Sequence, residues 1–176
     1  GKPILGKLHI MDAQNQELAA HHVGDIFFSG GPDFTYYNDP KKTAESYNSN
    51  GWSTLGDIGF TDDEGYLYLT DRKSHTIISG GVNIYPREVE DILLIHSMVL
   101  DAAVFGIPNP EFGEEVKAAI QLKSGASVNE EELISFCKKH LAHLKCPKTI
   151  DFHDELPRHQ TGKIYKEELK KPYWKS

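Results

Sequence analysis

Two apolar runs, MVLDAAVFGI (98–107) and EVKAAIQL (115–122), flank the turn sequence PNPEFGE. Each is long enough for a strand, and the Pro, Asn and Gly between them supply turn chemistry. The segments on either side read as helices. Pro86 suits the first turn of a helix through REVEDILLIH, which puts Val89, Ile92 and Leu93 on one face. Asn129 caps NEEELISFCKKHL, with Glu132 three residues on in the capping-box position. HTIIS reads as a short strand, GGVN as a glycine turn, and 148–152 as another short strand. Residues 72–176 therefore predict a small α+β domain, a small sheet with packed helices.

The first part of the chain has a different rhythm. GKLHIMD and VGDIFFSG alternate apolar and polar residues, as half-buried strands do, with a polar turn from Asp12 to Glu17 between them. GPDFTYYNDPKK reads as loop, and TDDEGYLYL as a turn at Gly65 feeding a short strand. Charge marks the same division. The net charge is -7; residues 1–71 carry 4 basic and 11 acidic side chains, whereas residues 72–176 carry 15 of each. The domain boundary is expected at Asp71-Arg72, with a β-rich part over 1–71.

Several classes are excluded at this level. There is no broad basic field for duplex nucleic acid. Residues 158–176 are locally basic (6 basic, 2 acidic), as a solvated helix end is. No apolar run approaches the ~20 residues that cross a bilayer. The opening GKPILGKLHIMDAQ lacks the apolar core of a signal peptide, and it lacks a methionine, as expected of a cut or processed piece. The chain end WKS is not the peroxisomal SKL signal. Cys137 and Cys146 are then expected to be reduced thiols of a cytoplasmic protein.

Four constellations invite chemistry. Cys137, His140, His143 and Cys146 have the residue types of a zinc site. On a helix, steps of three rotate each side chain by about 300°. The outer two would stand about 13 Å apart along the axis, too far for one tetrahedral ion, so no metal site is assigned. Asp57 in GWSTLGDIG sits at a tight turn, where a carboxylate can accept two hydrogen bonds from a ribose diol; spacing alone reads it as an ordinary turn residue. Gly80-Gly81 in IISGGVN lets a backbone turn tightly or a thin ligand pass close, and a plain strand-to-helix turn reads the same way. Lys163 in LPRHQTGKIYKEELK stands after a glycine on a short loop. Neither segment is a phosphate-binding fingerprint: G-x-G-x-x-G and G-x-x-x-x-G-K-[ST] are both lacking.

Taken in order, VGDIFF, the YYNDP loop followed by KKTAE, GWSTLGDIG, DEGYLYLTDR, IISGGVNIYPREVED, AAVFGIPNPEFGE and LPRHQTGKI resemble the C-terminal third of the adenylate-forming enzymes. That superfamily includes acyl-CoA synthetases, firefly luciferase and peptide-synthetase adenylation domains. The resemblance runs over essentially the whole chain, and the IISGG-N-IYP-EVE form is most similar to fatty-acyl-CoA and related carboxylate-CoA ligases. It implies that residues 1–71 are the trailing β-rich subdomain of a large AMP-binding domain, and 72–176 the small mobile C-terminal domain.

The resemblance also implies a two-step reaction: carboxylate plus ATP gives acyl-adenylate and pyrophosphate, and the thiol of coenzyme A then gives thioester and AMP. In it Lys163 is the adenylation lysine. Asp57 holds the ribose hydroxyls, Arg72 contacts the nucleotide near ribose and phosphate, Lys73 and Ser74 form the hinge, and Gly80 and Gly81 border the pantetheine passage. The chain departs from the family pattern at Leu55, Ser74, His75 and Ile78, where a threonine, an Asp or Lys, an acid and a lysine are common. The family's phosphate loop, Mg2+-binding glutamate and acyl pocket lie upstream of these motifs, so the 176 residues alone are expected not to turn over, and the missing N-terminal portion of the same enzyme is the expected partner. Two alternatives stay open: an adenylating domain that loads a carrier protein, and a non-catalytic module that binds a partner or nucleotide.

Overall fold

A computed structural model describes residues 1–174; the final Lys175 and Ser176, and with them the end of the WKS sequence, lie outside the described residues. The chain forms two compact units, Gly1–Ser74 and His75–Ser176.

The first unit is a four-stranded antiparallel sheet in chain order: β1 (Lys7–Met11), β2 (Gly24–Ser29), β3 (Asp57–Thr61) and β4 (Leu67–Arg72). Ile10, Met11, Ile26, Phe27 and Ile58 are its buried apolar side chains. Asp12 shapes the first turn, its carboxylate accepting from the backbone N–H of Gln14 at 2.9 Å and of Gln16 at 2.8 Å. Asp62 does the same after β3 for Glu64 and Tyr66, at 3.0 and 2.8 Å. The loop read over GPDFTYYNDPKK ends earlier than expected. Pro40–Glu45 is a short helix, α1, and the Asp39 carboxylate accepts from the Lys42 N–H at 2.9 Å. Asp followed by Pro is a helix start, and the density of loop residues before it masked that signal.

The second unit carries β5 (Ile77–Ser79), β6 (Val82–Ile84), α2 (Pro86–Ile95), β7 (Val99–Asn109), β8 (Gly113–Leu122), α3 (Glu130–His140), β9 (Thr149–His153) and α4 (Lys166–Lys170). Here too one reading is corrected. GGVN is not all turn, because Val82 and Asn83 pair with Ser79 and Ile78 as part of β6. The turn is Gly80-Gly81 alone, with φ of +56° and +79°. A two-residue hairpin with both central residues left-handed is closed most cheaply by glycines. Asn129 caps α3 by accepting from the Glu132 N–H at 2.9 Å.

The two apolar runs form the long β7–β8 hairpin, in register from Val99 opposite Leu122 to Asn109 opposite Gly113. Strand β8 is central: β7 lies on one side, and the other is shared by β9, parallel over Lys117–Gln121, and by β5 at Gly113. Both runs lack polar alternation because both faces of the hairpin are covered. On one face Ala102, Val104, Val116, Ala118 and Ile120 pack with Val89 and Leu93 of α2 and Leu133 and Cys137 of α3. On the other, Ala103, Phe105 and Ala119 pack with Leu156 and Leu169.

Lys117 interrupts the second face. Its side chain, 6% exposed, pairs with Asp151 on β9 at 2.8 Å and donates to the Thr149 hydroxyl at 3.1 Å. It also lies over the Tyr173 ring, while the Tyr173 hydroxyl donates to the other Asp151 oxygen. Burial pulls the ammonium downward, but the hydrogen bond and charge of Asp151 outweigh it and leave Lys117 above the ordinary lysine range. Burial pushes the Asp151 carboxyl up, and the hydrogen bonds from Lys117 and Tyr173 carry it below the ordinary carboxylate range.

Candidate active-site elements

Lys163 sits on a small closed hairpin. The Tyr165 N–H donates to the Pro157 carbonyl at 2.7 Å, and the His159 N–H to the Lys163 carbonyl at 2.8 Å. At the tip the Gly162 N–H returns to the His159 carbonyl at 2.8 Å, with Gly162 at φ +83°. This is why glycine precedes the lysine: any side chain there would meet the left-handed penalty. The rings of His159 and Tyr165 lie against each other across the base, tilted by 38° with centroids 4.1 Å apart. Leu156 and Leu169, both buried, anchor the two ends. The Lys163 side chain itself is exposed and makes no hydrogen bond, ion pair or ring contact among the described residues. The fold therefore fixes the backbone around one uncommitted ammonium group.

Gly80 and Gly81, the other expected feature of this unit, form the β5–β6 turn. The Gly80 N–H donates to the Phe112 carbonyl at 2.9 Å, and a Cβ on Gly80 would stand 3.3 Å from the Phe112 ring. No atom lies within 4 Å of where a Gly81 Cβ would be, so one side of the turn is open.

In the first unit the structure brings Asp57 and Arg72 together. They are directly opposed on β3 and β4, and the Arg72 Nε donates to Asp57 Oδ1 at 2.7 Å. Asp57 is largely shielded and Arg72 mostly exposed, so the guanidinium keeps free donors toward solvent. Next to them Lys73 reaches Asp25 on β2 at 2.6 Å. Lys73 and Ser74 lie in a 3₁₀ turn, Lys73–His75, and the division between the two units falls immediately after Ser74.

The four-residue Cys/His array does not lie on one helix: α3 ends at His140, and His143 and Cys146 follow in the turns after it. Cys137 and Cys146 are both buried, His140 and His143 are exposed, and the Cys146 thiol donates to the Ala142 carbonyl. Among the described residues no group of three or more His, Cys, Asp or Glu could hold a metal ion. No helix among them is long and apolar enough to cross a membrane.

Four residues around the Lys163 hairpin escaped sequence reasoning: Glu90, Asp101, Arg158 and Lys166. Glu90 on α2 is buried and pairs with Lys166 at 2.6 Å; Asp101 on β7 pairs with Arg158. The available signal was a glutamate adjoining Val89 on the apolar face of α2.

The second unit is thus a mixed sheet with α2 and α3 packed on one face and the segment that carries Lys163 packed on the other. Residues 88–163 match the AMP-binding enzyme C-terminal domain, a match that ends at Lys163. The chain is 42% identical over 173 residues to a 2-succinylbenzoate–CoA ligase of Geobacillus kaustophilus, covering 97% of this chain and 35% of that protein. It is 41% identical over 162 residues to a long-chain-fatty-acid–CoA ligase of Bacillus subtilis, covering 91% of this chain and 29% of that one. Among solved structures, o-succinylbenzoate CoA synthetase from Bacillus subtilis in complex with the acyl-adenylate intermediate OSB-AMP superposes with a TM-score of 0.82 at 37% identity, over 97% of this chain and 35% of that one. The chain belongs to the adenylate-forming, AMP-binding enzymes and corresponds to their C-terminal portion. It spans about a third of the length of the curated relatives it matches.

Proposed function

We propose that the chain works as the C-terminal part of an ATP-dependent carboxylate–CoA ligase, with Lys163 as the adenylation lysine. The observation that carries this is the exposed, unpartnered ammonium of Lys163 on a hairpin closed by its own backbone hydrogen bonds. ATP is the activating substrate: a carboxylate oxygen attacks the α-phosphorus, the bond to the bridging oxygen breaks, and pyrophosphate leaves. Negative charge concentrates on the carboxylate and phosphate oxygens as they approach. A preorganised ammonium group stabilises that charge more than water does, because it needs no reorganisation during the step. In the second step the coenzyme A sulfur attacks the acyl carbon, AMP leaves with the bonding pair, and the thiol proton goes to solvent.

The remaining residues take supporting roles in this reading. Asp57, tethered by Arg72, accepts from the ribose hydroxyls, and Arg72 keeps donors for the nucleotide. Lys73 and Ser74, just before the division that follows Ser74 rather than at Asp71-Arg72, form the hinge, and Gly80-Gly81 leaves an open side for the pantetheine arm. Mg2+ is required by the chemistry of ATP, and its ligand is assigned upstream of this chain. The acid is a fatty acid or 2-succinylbenzoate, the acids named for the two relatives above; a free coenzyme A rather than a carrier protein is the acceptor. Two unbridged buried thiols suit a cytoplasmic enzyme.

The test uses the longer enzyme that contains this chain. Carboxylate-dependent ATP–pyrophosphate exchange is measured over fatty acids and 2-succinylbenzoate, in wild type and Lys163→Ala. Exchange should fall on the order of 10²–10³-fold in the variant, while thioester formation from supplied acyl-adenylate persists. Unchanged exchange in Lys163→Ala sinks the assignment. Thioester turnover by the purified 176-residue chain would overturn the view that it needs an N-terminal partner.

A further inference from the structure

The segment that carries Lys163 is fastened to the strand-free edge of β7, and charged side chains do the fastening. Three backbone groups along that edge are taken up in turn. The Ala102 N–H donates to its neighbour Asp101 Oδ1 at 2.9 Å. The Val104 N–H donates to Glu90 Oε1 at 2.8 Å. The Gly106 carbonyl accepts from the Trp174 indole N–H at 2.9 Å. Successive groups are two residues apart, about 6.6 Å along a strand. An open edge is normally blunted so that it does not pair with another chain. Here the blunting groups have a second contact, and in two cases it leads to the Lys163 hairpin.

Asp101 uses its other oxygen to pair with Arg158, and Arg158 also donates to the Gly162 carbonyl at 2.9 Å. Glu90 Oε1, besides holding Val104, accepts from Lys166 Nζ at 2.6 Å. Glu90 and Lys166 are both largely buried, with side chains 9% and 15% exposed. Arg158 stands five residues before Lys163 and Lys166 three residues after it. The hairpin is thus held at both ends by carboxylates that are themselves held by β7. A pair this shielded keeps its geometry, because breaking it strands a buried charge. The Arg158–Asp101 pair is more open, with side chains 38% and 24% exposed, and holds its end together with the Arg158 bond to the Gly162 carbonyl.

We infer that Glu90 and Asp101 are positioning residues for Lys163, acting through Lys166 and Arg158. The inference rests on the proposed role of Lys163 and names what aims it. Displacement of a reacting group by about 1 Å can cost a hundredfold in rate, so the rigidity of this clamp belongs to the adenylation step.

Glu90→Gln and Asp101→Asn test the clamp; because Glu90→Gln leaves the Lys166 charge without its partner, a thermal melt of each variant checks that the domain is folded at the assay temperature. Each keeps an oxygen for the β7 N–H and loses only the charge that holds Lys166 or Arg158. In the longer enzyme, each should lower the turnover of ATP–pyrophosphate exchange by about tenfold, with KM for ATP and acid within about twofold. Thioester formation from supplied acyl-adenylate should keep its wild-type rate. Hydrogen exchange at the His159 and Gly162 amides, which close the hairpin, should quicken in the same variants, a readout independent of activity. Wild-type exchange in both variants, with Lys163→Ala inactive, overturns the inference and leaves the ligase reading intact. Equal loss in both half-reactions also overturns it, because that pattern reports general damage. Wild-type exchange in Lys163→Ala removes the role that the inference depends on, and both fall.

Discussion

Asparagine in place of Asp151 removes one charge from the Lys117–Asp151–Tyr173 cluster while preserving its shape. The two charges stand 2.8 Å apart. At that distance their gross attraction is about 1.5 kcal/mol in a water-like dielectric and about 6 kcal/mol at an effective dielectric near 20. Lys117 is 6% exposed but Asp151 is 40% exposed, so solvent screens the pair from one side. The loss should therefore fall below the ~3–5 kcal/mol seen when fully buried pairs are broken, at about 2 kcal/mol. For a domain of roughly 100 residues this lowers Tm by about 8 °C. Trp174 reports on this unit, and Trp52→Phe removes the other tryptophan. Thermal melts followed by Trp174 fluorescence then give the shift. The double variant Lys117→Met, Asp151→Asn removes both charges and refills the volume, so it should return to within about 1 kcal/mol of the parent. A double variant that falls by the sum of its two single variants refutes the electrostatic account. The pH dependence has a definite sign. The Asp151 contribution is present above the ordinary carboxylate range and is lost as pH falls through its lowered pKa. The Lys117 contribution is present below the ordinary lysine range and is lost as pH rises through its raised pKa. The Tm gap between parent and Asp151→Asn should be flat from about pH 5 to 9 and shrink below about pH 4.

Other outcomes follow from single features. Asn129→Ala removes the α3 cap and should cost about 1 kcal/mol, read as a Tm about 4 °C lower, while Asn129→Asp keeps it. Gly81→Ala meets no neighbouring atom, so only its φ of +79° opposes it; a loss of about 1–2 kcal/mol in urea unfolding is expected. Burial, with the neighbouring Cys146, pushes the Cys137 thiol up to about 12, and burial also raises Cys146. Alkylation at pH 8, followed by mass spectrometry, should be slow in the native chain and complete for both thiols in urea; prompt native labelling contradicts their burial.

Much of the architecture was written locally. The β7–β8 hairpin needed only two apolar runs and a turn sequence, and α3 only an asparagine ahead of an amphipathic run, because hydrophobic period and caps act between near neighbours. The Lys163 hairpin was visible in the same way, through a proline, a glycine and the lysine within one short loop. Where local signals competed, the reading slipped: Val82 and Asn83 looked like turn beside two glycines, and Pro40–Glu45 looked like loop behind a run of loop formers. Sequence order also placed Asp57 and Arg72 as separate candidates, and only the β3–β4 register put the guanidinium on the carboxylate. The same holds for Lys117, a lysine in the middle of an apolar strand, whose burial depends on Asp151 and Tyr173 far along the chain. Glu90 and Asp101 reach Lys166 and Arg158 across 76 and 57 residues of chain. No periodicity encodes such a pairing. A charge in the interior is stable only beside its partner, and which residues become partners is decided when the sheet and helices pack.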